Sequence, residues 1–316
     1  MKILVTGGCG YKGHVLIPKL LHRGHTVIAF DTQWFGCFLK PHPQLTIVKG
    51  DVRDIKAVPL NGVDCIIHLS SIANDPCGDL NPKLTWEISA LATMQLADFA
   101  KRGGIKQFIY ASSGSVYGIK DEERVTEELS LHPISEYNKT KMVAERILLS
   151  YEQDMAIQII RPATVCGYSP RMRLDVSVNM LAMQALNKGK ITVFGGDQTR
   201  PNIHIDDITD VYLHMLDHPE LTGIYNAGFE NISILDIAKL VTDYVPADIE
   251  VTTSNDPRSY RVNSDKLLAT GFQPKKTIAH AIAEIIEKFK TGILKDDESY
   301  YNLKWMQKTV LLGNSL

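Results

Sequence analysis

The sequence predicts an α/β fold in which a doubly wound parallel sheet carries a smaller C-terminal lobe. Two observations lead to this fold class. Short, continuous apolar runs rich in β-branched residues recur along the first half, as expected for parallel strands that are covered on both faces. Segments of helical length separate these runs, and such alternation is typical of doubly wound sheets with right-handed crossovers.

The individual elements follow from the same pattern. Buried strands are predicted at residues 3–5, 27–30, 45–48, 65–69, 108–111 and 157–160, and helices at 11–23, 84–102 and 137–152. After Pro162 the pattern becomes irregular, with helices expected at 176–188, 232–244 and 276–290 and a short strand at 203–205. We expect this half to form a lobe over the carboxyl edge of the sheet, where ligands bind in open α/β folds. The polar tail 295–316 is expected to pack on the surface or on a partner.

Composition excludes several classes of protein. The formal net charge is −2 and no long block of Lys or Arg occurs, so a nucleic-acid partner is not expected. No apolar stretch approaches the ~20 residues that span a bilayer, and the run behind Met1 is too short for a signal peptide. The five cysteines are scattered, without a Cys-x-x-Cys pair. Neither a disulfide framework nor a metal site is therefore predicted, and a reducing cytoplasm fits best.

A glycine-rich turn follows the first apolar run. Gly7 permits a tight strand-to-helix turn, Gly10 lets a pyrophosphate approach the backbone, and Gly13 lets the helix pack closely. The spacing differs from the commoner G-x-G-x-x-G. Taken alone, it predicts a dinucleotide site about as well as it predicts a turn without a ligand.

Two acidic residues extend this interpretation. Asp31 ends the second apolar run, where a carboxylate can accept hydrogen bonds from adenosine ribose hydroxyls. The carboxylate would repel a 2′-phosphate, and no Arg follows at 32 or 33, so NAD is favoured over NADP. Asp51 and Val52 follow the third strand and are predicted to hold the adenine edge, with a plain polar turn as the alternative. Residues 34–36 are expected to anchor a loop, or alternatively to cover the adenine.

A Tyr and a Lys four residues apart predict hydride chemistry. Tyr137 and Lys141 lie on one face of a predicted helix, so the lysine charge is expected to lower the phenol pKa. The tyrosinate would then take a proton from a carbinol as hydride leaves the same carbon. Ser113, after the fifth strand, is expected to hydrogen-bond the same oxygen. The alternative for the Tyr–Lys pair alone is a solvated helix face.

These motifs resemble those of the extended short-chain dehydrogenase/reductases, in particular their NAD-dependent nucleotide-sugar epimerase/dehydratase group. Within that group the resemblance is to enzymes of the UDP-glucose 4-epimerase type. The residues that carry the resemblance are 6–13, Asp31, 50–54, 68–71, 110–118, 137–141, 161–162, 195–200, 204–207 and 225–228. The resemblance implies a Rossmann-type NAD-binding domain over residues 1–165, with segments near 200–228 returning to it. Residues 166–316 would form the main part of a discontinuous substrate-binding lobe. A nucleotide-diphosphate-sugar substrate and a homodimer formed through the helices near 84–102 and 137–152 are implied as well.

The resemblance also assigns roles by position. Ser113, Tyr137 and Lys141 would be catalytic, and Ser113 would also touch the substrate. The implied cofactor-binding residues are Gly7, Gly10, Tyr11, Lys12, Gly13, Asp31, Asp51, Val52, Leu69, Ser70, Ser71, Ser112, Tyr137, Lys141 and Pro162. Arg200 would grip the substrate diphosphate, Asn179 would lie near the phosphates, and either Arg258 or Arg261 would add a phosphate contact. Residues 74–79 and 171–173 are expected to reach the sugar cleft.

The chain departs from the pattern of the resembled group at two places. Sugar 4,6-dehydratases of this group carry an Asp-Glu pair where this chain has Gly114 and Ser115, so elimination is disfavoured. Lys12 and His14 replace an aliphatic and a small hydroxyl residue. The predicted function is oxidation of a nucleotide sugar at C4, with an epimerase favoured. The alternatives are a net dehydrogenase or 4-ketoreductase and, less favoured, a dehydratase or a non-catalytic NAD sensor.

Overall fold

The computed structural model describes residues 1–253 and 259–309. Its strands are β1 (Lys2–Thr6), β2 (Thr26–Asp31), β3 (Leu45–Lys49), β4 (Cys65–His68), β5 (Gln107–Ala111), β6 (Ala156–Pro162), β7 (Thr164–Cys166), β8 (Lys190–Phe194), β9 (Thr199–His204), β10 (Gly223–Ala227), β11 (Glu230–Ser233) and β12 (Asp248–Thr252). Its α-helices are α1 (Gly13–His22), α2 (Asp75–Leu80), α3 (Pro82–Trp86), α4 (Ala92–Arg102), α5 (Glu136–Leu149), α6 (Ser177–Lys188), α7 (Ile205–Asp217), α8 (Ile234–Thr242), α9 (Asp265–Leu268), α10 (Ile278–Lys290) and α11 (Asn302–Thr309). A π-helical segment, Glu87–Leu91, joins α3 to α4.

The central layer is a seven-stranded sheet in the order β10-β6-β5-β4-β1-β2-β3, and each of its pairings is parallel. The chain runs outward from β1 to β3 and then continues from β4 on the other side of β1. The strand order therefore reverses between β1 and β4, and a crevice opens there at the carboxyl ends of the strands. The predicted doubly wound α/β fold is confirmed.

Two details of the sheet differ from the prediction. β3 lies at the sheet edge and exposes 38% of Ile47, so the expectation that residues 45–48 form a fully buried strand is wrong. An edge strand has a neighbour on one side only, which leaves its side chains partly open to solvent. β10 was not predicted as a strand, although it adds to the sheet beside β6.

The second half adds smaller layers to the sheet. β11, β9 and β7 form one three-stranded sheet, and β12 pairs with β8. Helix α6 packs against α8 and α10, and the apolar faces of the three helices form a separate core cluster. Ile205 begins α7 and does not end the preceding strand, as the strand predicted at 203–205 required. Within the described residues, no helix is both long and apolar enough to cross a membrane.

A buried ion pair connects the sheet to α5 below the carboxyl edge. Arg161 and Glu145 are each 1% exposed and form two hydrogen bonds, from Nε at 2.9 Å and from Nη2 at 2.7 Å. Ser112 donates to the same carboxylate, and Arg161 Nη1 donates to the Tyr117 hydroxyl. Because each charge has directional partners, the pair is tolerated in the interior and fixes the end of β5 relative to α5.

The turn between β1 and α1 requires glycine at two positions. Gly7 has φ +69°, and a Cβ there would lie 2.7 Å from the backbone nitrogen of Ser70. A Cβ on Gly13 would lie 2.2 Å from the carbonyl oxygen of Gly8. Both positions thus exclude larger residues for steric reasons that hold without any ligand.

We expect Gly7→Ala to lower the free energy of unfolding by about 2–5 kcal/mol, because it adds a backbone clash to a left-handed conformation. Gly62→Ala is the matched control, since Gly62 also has φ +69° but a Cβ there meets only Lys2 Nζ, at 3.9 Å. The control is expected to lose only about 1–2 kcal/mol. Urea denaturation of both variants measures the difference. Equal decreases in the free energy of unfolding would show that the close approach of residue 7 to Ser70 does not destabilise the Gly7→Ala variant.

Candidate active site

A cavity of about 490 Å³ opens at the carboxyl ends of the central strands. It contains most of the residues that the sequence nominated. Lining residues from that set are Gly7, Gly10, Tyr11, Lys12, Gly13, Asp31, Asp51, Val52, Leu69, Ser70, Ser71, Ser112, Ser113, Tyr137, Lys141, Pro162 and Arg200. The topology explains this assembly, because loops that follow parallel strands meet at one edge of the sheet.

One half of the cavity is built around Asp31. Its carboxylate accepts hydrogen bonds from the backbone nitrogens of Cys9, at 3.0 Å, and Gln33, at 2.6 Å. Burial raises the pKa of this carboxyl, whereas the two backbone donors oppose the shift. Asp31 therefore ties the glycine-rich turn to the end of β2, and it also faces the cavity.

Asp51 has a structural partner at the same end. Its carboxylate accepts hydrogen bonds from the backbone and side chain of Arg53, with Nη2 at 2.7 Å. Arg53 also reaches Glu87 in the π-helical segment. The side chain of Asp51 thus shapes the loop after β3 beside the cavity, where the sequence predicted a contact with adenine.

Lys12 brings a cation into the glycine-rich turn. Its Nζ donates to the hydroxyl of Tyr212 at 3.2 Å. Burial lowers the Lys12 pKa to about 8, and the positive charge of Arg173 contributes in the same direction. A desolvated ammonium on the cavity wall is suited to an anionic ligand.

Tyr137 and Lys141 lie together on the wall formed by α5, but the expected lowering of the phenol pKa is wrong for the ligand-free protein. Burial raises the Tyr137 pKa to about 12, while a hydrogen bond with Ser113 lowers it. Lys141 Nζ lies 5.9 Å from the Tyr137 ring centroid and donates to the carbonyl oxygen of Ala111 at 2.7 Å. Burial also lowers the pKa of Lys141 well below its ordinary value, which weakens its electrostatic effect on the phenol.

A chain of hydrogen bonds orients Ser113. The Asn138 amide nitrogen donates to Asp75 at 2.8 Å, which turns its oxygen toward the hydroxyl of Ser115. Ser115 donates its single proton to that oxygen, so the Ser113 hydroxyl must donate to Ser115 across 2.7 Å. Ser113 lies at the end of this chain, next to Tyr137. Gly114 and Ser115, the two positions at which the resembled sugar 4,6-dehydratases carry an acidic pair, offer no carboxyl group here.

The predicted substrate-binding residues separate into three groups. Arg200 lines the cavity. Asn179 is fully buried outside it, and its amide bonds the Gly167 nitrogen, the Tyr11 hydroxyl and the Arg173 carbonyl. The structure therefore does not place Asn179 where a phosphate could reach it. Arg261 is exposed away from the cavity, and Arg258 lies outside the described residues.

Several cavity residues were not assigned from the sequence. Asp175 receives two hydrogen bonds from Arg173, Tyr260 faces the cavity, and Asn302 reaches it from α11. Arg171 and Arg173 enter as expected for residues 171–173, and the Asn74 side chain donates to Asp175. The segment 170–176 lacks regular structure, so no periodicity indicated which of its side chains face inward.

The residues present fit a dinucleotide such as NAD. A Cβ on Gly10 would meet only the carbonyl oxygen of Gly7, at 3.1 Å, so the absent side chain leaves space on the ligand side of the turn. Asp31 can accept from ribose hydroxyls, and Lys12 offers positive charge to phosphates. At the far end, Ser113, Tyr137 and Lys141 would border a nicotinamide and a reacting carbinol.

Comparisons with known proteins agree with this geometry. Residues 3–228 match the family model described as the NAD dependent epimerase/dehydratase family. A protein of Bacillus subtilis strain 168, named an uncharacterized UDP-glucose epimerase, is 33% identical over 262 residues, which cover 77% of this chain and 82% of that protein. UDP-glucuronic acid decarboxylase 1 of Arabidopsis thaliana is 26% identical over 317 residues, covering 94% of this chain and 72% of that one.

A solved structure shares the fold. UDP-glucuronic acid 4-epimerase of Bacillus cereus, solved with UDP-glucuronic acid and NAD, superposes with a TM-score of 0.80 at 26% identity. The match covers 92% of this chain and 99% of that one. The segment that matches the family model, residues 3–228, contains the glycine-rich turn and Asp31. It also contains Ser113, Tyr137 and Lys141, which line the cavity. The chain therefore belongs to the NAD-dependent epimerase/dehydratase family, as the sequence motifs predicted, and NAD is the cofactor of that family.

Proposed function

We propose that the protein oxidises a nucleotide-diphosphate sugar at C4 and returns the hydride to the opposite face, acting as an epimerase. The observation that carries this proposal is the meeting of Ser113, Tyr137 and Lys141 on one wall of a cavity that also contains the dinucleotide-type turn. Oxidation at a carbinol requires a proton acceptor beside a hydride acceptor, and this wall supplies the former.

The residues have distinct roles in this chemistry. Bound NAD would supply the hydride acceptor and, later, the donor. Tyr137 takes the C4 hydroxyl proton as the carbonyl forms, and it returns the proton when the opposite epimer forms. Ser113 turns its hydroxyl proton from Ser115 to the C4 oxygen as negative charge develops there. Lys141 holds the end of β5 in place through Ala111.

Two observations support a nucleotide-diphosphate sugar as the substrate: a positive charge at the cavity and the names of the relatives. Arg200 at the cavity provides a planar cation suited to a diphosphate. The two relatives carry names with a UDP-linked sugar, and the Bacillus cereus enzyme was solved with UDP-glucuronic acid. Neither Gly114 nor Ser115 offers a carboxyl group, which disfavours the elimination of water.

A homodimer is also proposed. The helical run from α3 to α4 exposes three large apolar side chains, with 36% of Trp86, 46% of Leu91 and 40% of Met94 accessible to solvent. Such a cluster on neighbouring turns suits a helix–helix interface. The family resemblance implies a subunit contact on the same run and on α5.

A panel of nucleotide sugars tests the reaction. With the NAD-loaded protein, we expect a product of unchanged mass and inverted C4 configuration, detected by mass spectrometry and proton NMR. No net NADH should accumulate, because the same cofactor molecule is oxidised and reduced in one cycle. A released keto sugar with stoichiometric NADH would instead establish a dehydrogenase. A mass loss of one water or one carbon dioxide would establish a dehydratase or a decarboxylase, respectively.

Tyr137→Phe should abolish turnover while the affinity for NAD stays within about threefold of the parent, since the change removes one hydroxyl and keeps the ring. Turnover is measured with the best nucleotide sugar of the panel, and affinity by fluorescence titration. Tyr151→Phe, at a partly buried tyrosine beyond the end of α5, is the matched control and should remain active. Full activity of Tyr137→Phe would contradict the proposed base.

The phenol pKa should fall when NAD binds. In the ligand-free protein, burial holds the Tyr137 pKa at about 12, so the phenol stays protonated at pH 8. A cationic nicotinamide brought into the cavity favours the phenolate and therefore lowers this pKa, whereas neutral dihydronicotinamide lowers it less. Absorbance at the tyrosinate band between pH 6 and 11, taken as the difference between parent and Tyr137→Phe, measures the shift. An identical titration with and without NAD would disprove this coupling.

A further inference from the structure

Arg171 is a buried cation without a charged partner in the part of the chain that the structure describes. Its side chain lines the cavity, yet the residue is only 2% exposed. Nη1 donates to the Met172 carbonyl and Nη2 to the Asn302 amide oxygen, whereas Nε has no hydrogen-bond partner. Within residues 1–253 and 259–309, no carboxylate forms a salt bridge with it. Desolvating a guanidinium in this way is costly, which points to an anionic ligand.

The electrostatic neighbours of Arg171 place it over the adenosine half of the cavity. Burial and, to a smaller extent, the positive charge of Arg173 lower its pKa to about 9, while Asp175 and Asp31 oppose the shift. Arg171 in turn lowers the pKa of His14 in α1. Its guanidinium carbon lies 4.1 Å from the ring centroid of Phe35, in the loop after β2. These neighbours surround the glycine-rich turn, where a dinucleotide diphosphate is expected.

Helix α11 holds Arg171 in this position. The Asn302 side chain accepts from Arg171 at 2.7 Å, and its backbone nitrogen donates to Asp175. Three residues later, the Trp305 indole donates to the carbonyl oxygen of Trp34 at 2.8 Å. One face of α11 therefore connects the arginine-bearing loop with the loop after β2, across the mouth of the cavity.

We propose that Arg171 binds the diphosphate of the dinucleotide cofactor, and that α11, through Asn302, positions it and slows the release of the cofactor. A diphosphate supplies the charge-assisted acceptors that the free Nε–H and the guanidinium charge lack. The nucleotide sugar also carries a diphosphate, but Arg171 neighbours Asp31 and Phe35, on the cofactor side. The proposal rests on the NAD cofactor and does not depend on which reaction the site performs.

The test measures the binding of NADH, ADP-ribose, UDP and dTDP to nucleotide-free protein by calorimetry. Arg171→Gln should lower the affinity for NADH and for ADP-ribose by about ten- to a hundredfold, which is the range expected for the loss of a charge-assisted hydrogen bond. The affinity for UDP and dTDP should change less than threefold. Arg146→Gln, at an exposed position on α5, is the matched control and should leave all four affinities unchanged. Cofactor affinity within twofold of the parent, or a loss confined to UDP and dTDP, would overturn the proposal.

Thermal unfolding separates ligand binding from a structural role. Because Arg171 is buried without a salt bridge in the described residues, Arg171→Gln should leave the ligand-free melting temperature unchanged or higher, and it should reduce the stabilisation gained from NADH. A lower ligand-free melting temperature with undiminished NADH stabilisation would identify a purely structural residue.

A double-mutant cycle tests the role of α11. Asn302→Ala should speed the dissociation of NADH, measured by stopped-flow displacement, whereas Gln307→Ala on an exposed position of the same helix should not. Because Asn302 acts through Arg171, the double variant should dissociate no faster than Arg171→Gln alone. Additive effects of the two substitutions would show that α11 does not act by positioning this arginine.

Discussion

Desolvated positive charge around one cavity is the constraint on which the rest of the site depends. Lys12, Lys141 and Arg171 each have a pKa that burial lowers. A fold that keeps such groups in its interior sacrifices stability in the absence of ligand. Anionic ligands that bind only the folded state restore that stability by mass action. The proposed binding of the cofactor diphosphate by Arg171 would couple cofactor binding to folding through that side chain.

The same constraint explains the ligand-free state of Tyr137. Lys141 is buried and Tyr137 is half-buried on the same wall, so burial weakens the acid and its cationic neighbour together. A cationic neighbour lowers a phenol pKa only while it remains charged itself. In this ligand-free structure, Arg173 is the cation that acts on Tyr137. The chemical competence of the wall consequently depends on charges that arrive with the ligands.

The sequence predicted the fold well because each strand of the central sheet except the edge strands β3 and β10 is covered on both faces, and that burial leaves a continuous apolar run. It predicted the glycine-rich turn, Asp31 and the Tyr137–Lys141 pair for a similar reason, since local geometry fixes their spacing. Arg171, Asp175 and Asn302 have no such signature. They reach the cavity from an irregular segment and from a C-terminal helix, and only tertiary packing brings them together. Asn179 was misplaced because its position on α6 did not reveal that Tyr11 and Gly167 already occupy its amide.

Two positions beside Ser113, Gly114 and Ser115, bear on which reaction this site can perform. Gly114 has no room for a side chain without adjustment, since a Cβ there would lie 3.2 Å from the Pro162 carbonyl oxygen. Ser115 is committed to Asn138, whose orientation Asp75 determines. An acidic residue at 115 would place a carboxylate against the Asn138 oxygen, so it would require the amide to rotate and Asp75 to lose its donor. The hydrogen-bond polarity fixed by Asp75 therefore favours a neutral relay here. A neutral relay is compatible with moving a proton to and from one carbinol, and it lacks the carboxyl group that the elimination of water would use.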